Sequence, residues 1–102
     1  MTELYRVDFI NITGGIDLLD KYEIQSIDKV VKLAIAKIAR CDPLYSEREI
    51  KVRITDERTD EKHYYKGTRR KMDPPCQVIV KGKITVYQYI TFTEEIDADE
   101  FI

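Results

Sequence analysis

The chain has 102 residues, of which 43% are hydrophobic and 35% are charged, and its formal net charge is −2. This length is typical of one domain, and ample apolar content with nearly balanced charge is typical of a chain that folds. The small net charge argues against a bulk nucleic-acid binder, which would be clearly basic.

Two alternating segments open the chain and predict a hairpin. Within residues 4–12, Tyr5, Val7 and Phe9 alternate with Arg6 and Asp8, as in a half-buried strand, and Ile10 and Ile12 break the alternation, as in a strand end covered on both faces. Gly14 and Gly15 are a strong turn signal. Residues 16–25 again repeat apolar side chains at one parity, so part of this segment is predicted to be a second strand.

The clearest predicted element is a helix over residues 27–40. Ser26 stands at the N-cap position, where its hydroxyl could accept a bond from a first-turn amide, and Pro43 disfavours helix beyond residue 42. Apolar residues recur at helical spacing and form one stripe that must face a core. The stripe consists of Ile27, Val30, Val31, Ala34, Ile35 and Ile38.

Residues 49–55 alternate as a third strand, and a polar segment, residues 56–75, follows without an apolar period. Such a length is unusual for a structureless connection, so we expect additional strand there, turning at Gly67, or a mobile functional loop. Residues 77–80 and 84–93 flank a short glycine-containing connection, which predicts a hairpin. In its second strand Ile84, Val86, Ile90 and Phe92 share one face, and Thr85, Tyr87, Tyr89 and Thr91 share the other.

This order of elements predicts an α+β fold. One helix with a single apolar stripe should cover one face of a mainly antiparallel sheet of four to five strands, in the order β-(β)-α-β-β-β. Residues 1–102 are interpreted as a single domain with the polar segment 56–75 and an acidic C-terminal tail, residues 94–102.

The sequence favours a cytoplasmic protein that does not associate with membranes. The first residues lack the features of a secretory signal, and no segment reaches the ~18 apolar residues that span a bilayer. Cys41 and Cys76 are expected to be free thiols in a reducing compartment, each partly buried.

Nothing in the sequence indicates catalysis, a metal or a cofactor. His63 is the only imidazole, and no cysteine or second histidine stands at the spacing of a structural zinc site. Neither of the common glycine-rich phosphate motifs follows Gly14-Gly15. We therefore expect a protein that is not an enzyme and that uses neither metal nor cofactor.

A basic and aromatic segment, residues 64–71, is the first candidate binding site. Arginine binds phosphate or carboxylate well, and tyrosine offers a stacking face to nucleic-acid bases. The segment could therefore contact nucleic acid, a nucleotide or an acidic protein surface, or it could be a solvated hairpin tip whose tyrosines pack on the domain. The candidate residues are Tyr64, Tyr65, Lys66, Arg69, Arg70 and Lys71.

The acidic tail is the second candidate. It could dock on a basic groove of a partner, fold back onto the basic segment of the same molecule or of a second copy, or fray. Its candidate residues are Glu94, Glu95, Asp97, Asp99 and Glu100, followed by the apolar pair Phe101 and Ile102.

These features together predict a small, non-enzymatic, intracellular protein-binding module. It could inhibit or modulate a protein partner, as plain accessory proteins of phages and mobile elements do. The alternative function is binding of nucleic acid or a phosphorylated small molecule through residues 64–71, with a steep dependence on salt. A homodimer is compatible with a small sheet protein, although the sequence does not determine it.

Overall fold

The computed structural model describes residues 4–102, which form one five-stranded antiparallel sheet with a long helix on one face and a short helix on the other. The strand order in space is β2-β1-β3-β4-β5. The predicted α+β class and the predicted order of elements are confirmed. The strands are β1 (Tyr5–Ile10), β2 (Ile16–Tyr22), β3 (Ile50–Asp56), β4 (Lys62–Val80) and β5 (Lys83–Ile96), and the helices are α1 (Ile27–Cys41) and α2 (Ala98–Phe101).

The core lies between α1 and the inner strands of the sheet. The predicted apolar stripe of α1 is confirmed: Ile27 is partly buried, and the other members of the stripe are buried. Ser26 occupies the N-cap position, but its side chain makes no capping hydrogen bond, contrary to the prediction. From the sheet and the loop before β3, the core receives Tyr5, Val7, Tyr45, Ile50, Val52 and Ile54.

The polar segment contains most of a long strand. β4 continues past Gly67 without turning, and its pairing with β5 is irregular only between Lys71 and Cys76. The predicted turn at Gly67 was therefore wrong. A Cβ atom at this position would lie 2.9 Å from Cγ2 and 3.1 Å from Cδ1 of Ile35, so glycine allows the helix to approach the strand closely.

Gly67→Ala should destabilise the protein by about 1–3 kcal/mol, because the added methyl group overpacks this contact. Ile35→Ala removes both of the crowding atoms. The double variant should therefore lose less stability than the two single variants together, which urea unfolding can measure. Strictly additive losses would contradict the close-approach explanation. Thr93 is exposed and is the cross-strand partner of Gly67. Thr93→Ala is therefore the control for the general effect of a substitution in this pair of strands.

Cys41 and Cys76 are both free and exposed, so the expectation that they are partly buried was wrong. Cys41 is the last residue of α1, and Cys76 lies beyond the part of β4 that pairs with β3. Neither helix formed by residues 4–102 is long and apolar enough to cross a membrane.

Candidate interaction surface on the hairpin arm

The β4–β5 hairpin extends well beyond the rest of the sheet. β3 pairs with β4 only as far as the pair Ile50 and Gly67. Beyond that pair, β4 and β5 bond only to each other in the described part of the chain. We call residues 68–93 the arm. An isolated two-stranded ribbon has little stability of its own, so an arm of this kind is expected to be covered by something else.

One face of the arm is apolar and exposed. It lies on the same side of the sheet as α2, because alternate residues along β5 continue this face to the buried Ile96. The exposed fractions of its side chains lie between 44% and 72%. Apolar side chains exposed singly are normal on a protein surface, whereas several on one face, here interrupted by Gln88, indicate an interaction site. We call this surface the apolar face of the arm, and it consists of Ile79, Ile84, Val86, Ile90 and Phe92.

The opposite face of the arm mixes apolar, aromatic and hydroxyl groups. Val78, Val80, Tyr87 and Tyr89 are each 38–51% exposed. This face has a partial cover from the 42–49 loop near its base, where Arg69 meets the Tyr45 ring. The apolar face described above has no such cover in the described residues, which makes it the stronger candidate for a docking surface.

The arm is basic within a mildly acidic chain. It carries five basic residues and a single acidic one, Asp73, whereas the formal net charge of the chain is −2. A positive, apolar surface is complementary to an apolar surface bordered by acidic groups. The basic residues are Arg69, Arg70, Lys71, Lys81 and Lys83.

The structure does not gather the six predicted residues of segment 64–71 on one surface. They belong to a regular strand, so they alternate between the two faces of the sheet. Tyr65 packs toward α1, and burial raises the pKa of its phenol, with a smaller contribution from the Glu95 carboxylate. Tyr64 points to the other side and contacts the Phe101 ring at 5.2 Å between centroids.

The charged members of this segment are largely engaged within the chain. The Lys66 ammonium lies 3.6 Å from a Glu94 carboxylate oxygen, with Glu49 at 3.9 Å. The Arg69 guanidinium lies over two rings, 5.2 Å from the centroid of Tyr45 and 4.8 Å from that of Tyr89. On the apolar face, Arg70 lies 5.2 Å over the Phe92 ring. Arg69 and Arg70 therefore face opposite sides of the arm.

Arg69→Ala should destabilise the protein by about 1–2 kcal/mol, because each cation–π contact contributes roughly 0.5–1 kcal/mol and Arg69 makes two. Urea unfolding measures this loss. Lys71→Ala is the matched control, since the exposed Lys71 lies two residues along on the same face and has no ring contact among those found in residues 4–102. Equal stability of the Arg69→Ala and Lys71→Ala variants would contradict a stabilising stack.

The residues of the acidic tail are placed in two elements. Glu94 and Glu95 belong to β5, where they pair with Lys66 and Tyr65. Asp99 and Glu100 lie in α2, and Asp97 is its N-cap residue. α2 packs on the sheet: Phe101 is fully buried, and the Glu100 carbonyl accepts a hydrogen bond from the Lys51 ammonium.

The only histidine of the chain lies beside an acidic residue. His63 is partly buried in β4, with its Nε2 3.6 Å from a Glu61 carboxylate oxygen. Residues 4–102 contain no group of three or more His, Cys, Asp or Glu side chains that could hold a metal ion. A shallow apolar groove of about 250 Å³ lies at the C-terminal end of α1, and Phe9, Ile12 and Ile38 are among the residues that line it.

The sequence predicts a shared face for four of the five side chains of the apolar face, but neither the position of Ile79 nor the exposure of the face. The shared parity of Ile84, Val86, Ile90 and Phe92 was correct. A face of this kind is normally buried, and its exposure follows from the length of the hairpin in the structure compared with that of β3. β3 spans seven residues and β4 spans 19, so most of β4 has no third strand beside it.

Comparison of the chain with protein-family models, with curated proteins and with solved structures found no match in any of the three.

Proposed function

We propose that this protein is a non-enzymatic protein-binding module that docks through the apolar face of its arm. The observation that carries the proposal is the exposure of five large apolar side chains on a ribbon that projects from the folded core. Burying such side chains is the main favourable term in protein association. The partner surface is expected to be mainly apolar, with an acidic group near Arg70, the arginine that lies on this face.

Several features favour a protein partner over nucleic acid. Four of the five side chains of the apolar face are branched aliphatic groups, which bury well against protein and offer no stacking platform to a base. Arg69 and Arg70 already lie over aromatic rings and lie on opposite faces. A phosphate backbone on one face would therefore meet only part of the basic set and would leave the aliphatic groups uncovered.

Site-specific photo-crosslinking in the producing cells tests the proposal. A benzophenone side chain is placed at Ile84, on the apolar face, and separately at Leu33, an α1 residue with 46% exposure. We expect one defined protein adduct from position 84, insensitive to nuclease, and none from position 33.

The purified partner should then bind the Ile84→Lys/Val86→Lys variant at least about 30-fold more weakly, as loss of a hot spot costs ~2 kcal/mol or more. Leu33→Lys should bind as the unaltered protein does.

Mixed-sequence single-stranded and duplex DNA are the competing probes. Binding of either by the arm, lost at higher salt and in an Arg69→Glu/Arg70→Glu variant, together with no protein adduct at position 84, would overturn the proposal in favour of nucleic acid. Equal partner affinity of the Ile84→Lys/Val86→Lys variant would reject the apolar face as the docking surface.

A further inference from the structure

The outer edge of β5 lacks the features that usually keep an edge strand from pairing. Its stretch of residues 84–93 contains no charged residue and no proline, and consists mainly of β-branched and aromatic residues. None of the other described strands pairs with this edge. Natural sheets normally protect such edges with charges, prolines or bulges.

The opposite edge of the sheet shows the contrast. β2 carries Asp17, Asp20 and Lys21, and its pairing with β1 is interrupted by a register shift between Val7 and Asp8. These are two of the usual devices against edge pairing. The two edges of the same sheet therefore differ, and only the β5 edge is suited to accept another strand.

The sequence of β5 reads nearly the same in both directions about Gln88. Residues 85–91 are Thr-Val-Tyr-Gln-Tyr-Ile-Thr, so reversal exchanges only Val86 with Ile90. One step further out, Ile84 matches Phe92 as a large apolar residue. An antiparallel pair of identical strands related by a two-fold axis brings each residue opposite its mirror position, so such a strand is complementary to itself.

We infer that β5 of one molecule pairs antiparallel with β5 of a second copy, with the two-fold axis at Gln88. This pairing would join the two five-stranded sheets into one continuous sheet. The strand that pairs with the outer edge of β5 thus belongs to a second copy of this chain. The inference rests on the edge of β5 and does not depend on the partner proposed for the apolar face.

The cross-strand pairs in this register are of favourable kinds. On the apolar face Ile84 meets Phe92 and Val86 meets Ile90 of the other copy. Gln88, the polar residue between them, meets its own copy, and two side-chain amides can donate to and accept from each other. Apolar pairs, Thr–Thr pairs and aromatic pairs all stabilise antiparallel strands. On the opposite face the pairs are Thr85 with Thr91 and Tyr87 with Tyr89.

The charges at the two ends of β5 are also complementary. The basic turn with Lys81 and Lys83 precedes the uncharged stretch, and Glu94 and Glu95 follow it. Antiparallel pairing about Gln88 brings the basic turn of one copy beside the acidic end of the other. Opposite charges at these positions fix the register, whereas a parallel arrangement would place like charges together.

The symmetry also determines what the dimer presents to a partner. A two-fold axis that pairs a strand antiparallel with itself is perpendicular to the sheet, so the apolar faces of both arms point to the same side. The side chains of Ile84 and Val86 then lie beside Phe92 and Ile90 of the other copy. The result is one larger apolar surface that crosses the dimer axis.

Sedimentation of the purified chain at rising concentration, combined with paired charge variants, tests the inference. The unaltered chain should sediment as a dimer of the 12.0 kDa monomer. Thr85→Lys/Thr91→Lys places like charges in both symmetry-related pairs and should give a monomer with an unchanged circular dichroism spectrum. Thr85→Lys/Thr91→Glu places opposite charges in the same pairs and should restore the dimer. Both positions lie on the face opposite the apolar one, so partner docking does not involve them.

A disulfide test fixes the register. In a Cys41→Ser/Cys76→Ser background, Gln88→Cys should oxidise to a covalent dimer, because the two Cα atoms face each other across the axis. Thr85→Cys alone should not, since its two copies lie about 20 Å apart along the strands, and Thr85→Cys/Thr91→Cys should. A chain that stays monomeric, a dimer unaffected by Thr85→Lys/Thr91→Lys, no restoration by Thr85→Lys/Thr91→Glu, or crosslinking by Thr85→Cys alone would each overturn the inference.

Discussion

A chain in which residues 72–88 are replaced by an Asn-Gly turn is expected to fold normally and to lose binding to its protein partner. Lys71 and Tyr89 are cross-strand partners, and Asn-Gly forms the tight turn that joins two such positions. None of the side chains buried in the described core belongs to the removed segment. At a concentration where the unaltered chain is monomeric, the free energy of unfolding should therefore change little. At higher concentration the truncated chain should also lose the stabilisation from β5–β5 pairing.

The truncated chain separates the arm's role in binding from its role in stability. Urea unfolding gives the stability, and titration with the partner identified by crosslinking gives the affinity. The length-matched control is Ile79→Thr/Ile84→Thr/Val86→Thr, which keeps the ribbon and the β propensity but removes most of the apolar face. It should bind as weakly as the truncated chain. Retained affinity in the truncated chain would mean that the arm does not dock, and an unfolded product would mean that the arm is part of the folding unit.

The sequence predicted the fold well because its local signals are strong and independent. The stripe from Ile27 to Ile38 could only be one face of a helix, and the alternation in residues 49–55 could only be a half-buried strand. Residues 56–75 were harder to interpret, because a strand that is exposed on most of its surface carries no apolar period. In the sequence Gly67 is typical of a turn, whereas its role depends on Ile35, which lies far away in the sequence.

The candidate site was predictable in its residues but not in its geometry. The adjacent charges of the basic segment are compatible in sequence with one contact surface or with a solvated hairpin tip. Once these residues form a strand, adjacent side chains point to opposite faces, so Arg69 and Arg70 separate. The apolar face was read correctly from its parity. That it is exposed follows from the pairing of β3 with only the first part of β4, which is a property of register that no local pattern in the sequence contains.

Phe101→Ala should be among the most destabilising single substitutions in the chain, with a loss of about 3–5 kcal/mol, as expected for truncating a buried phenylalanine. The Phe101 side chain is fully buried. Its ring lies 5.2 Å from the Tyr64 ring, and the Arg53 guanidinium lies over it at 5.7 Å. Removing the ring would expose the side of the sheet opposite α1 and would leave Tyr64 without its aromatic neighbour.

The neighbouring residues of the tail provide the controls. Ile102→Ala should cost little, because Ile102 is 94% exposed, and Asp99→Asn/Glu100→Gln removes two charges from α2 without touching the Phe101 contact. A tail free to bind a partner would give the opposite pattern: Phe101→Ala would leave the urea midpoint unchanged, and the loss of charges would reduce partner binding. Because Phe101 packs on β3 and β4, we expect Phe101→Ala to act first by lowering the free energy of unfolding. Any effect of Phe101→Ala on partner binding should then disappear when binding is compared under conditions where both chains are fully folded.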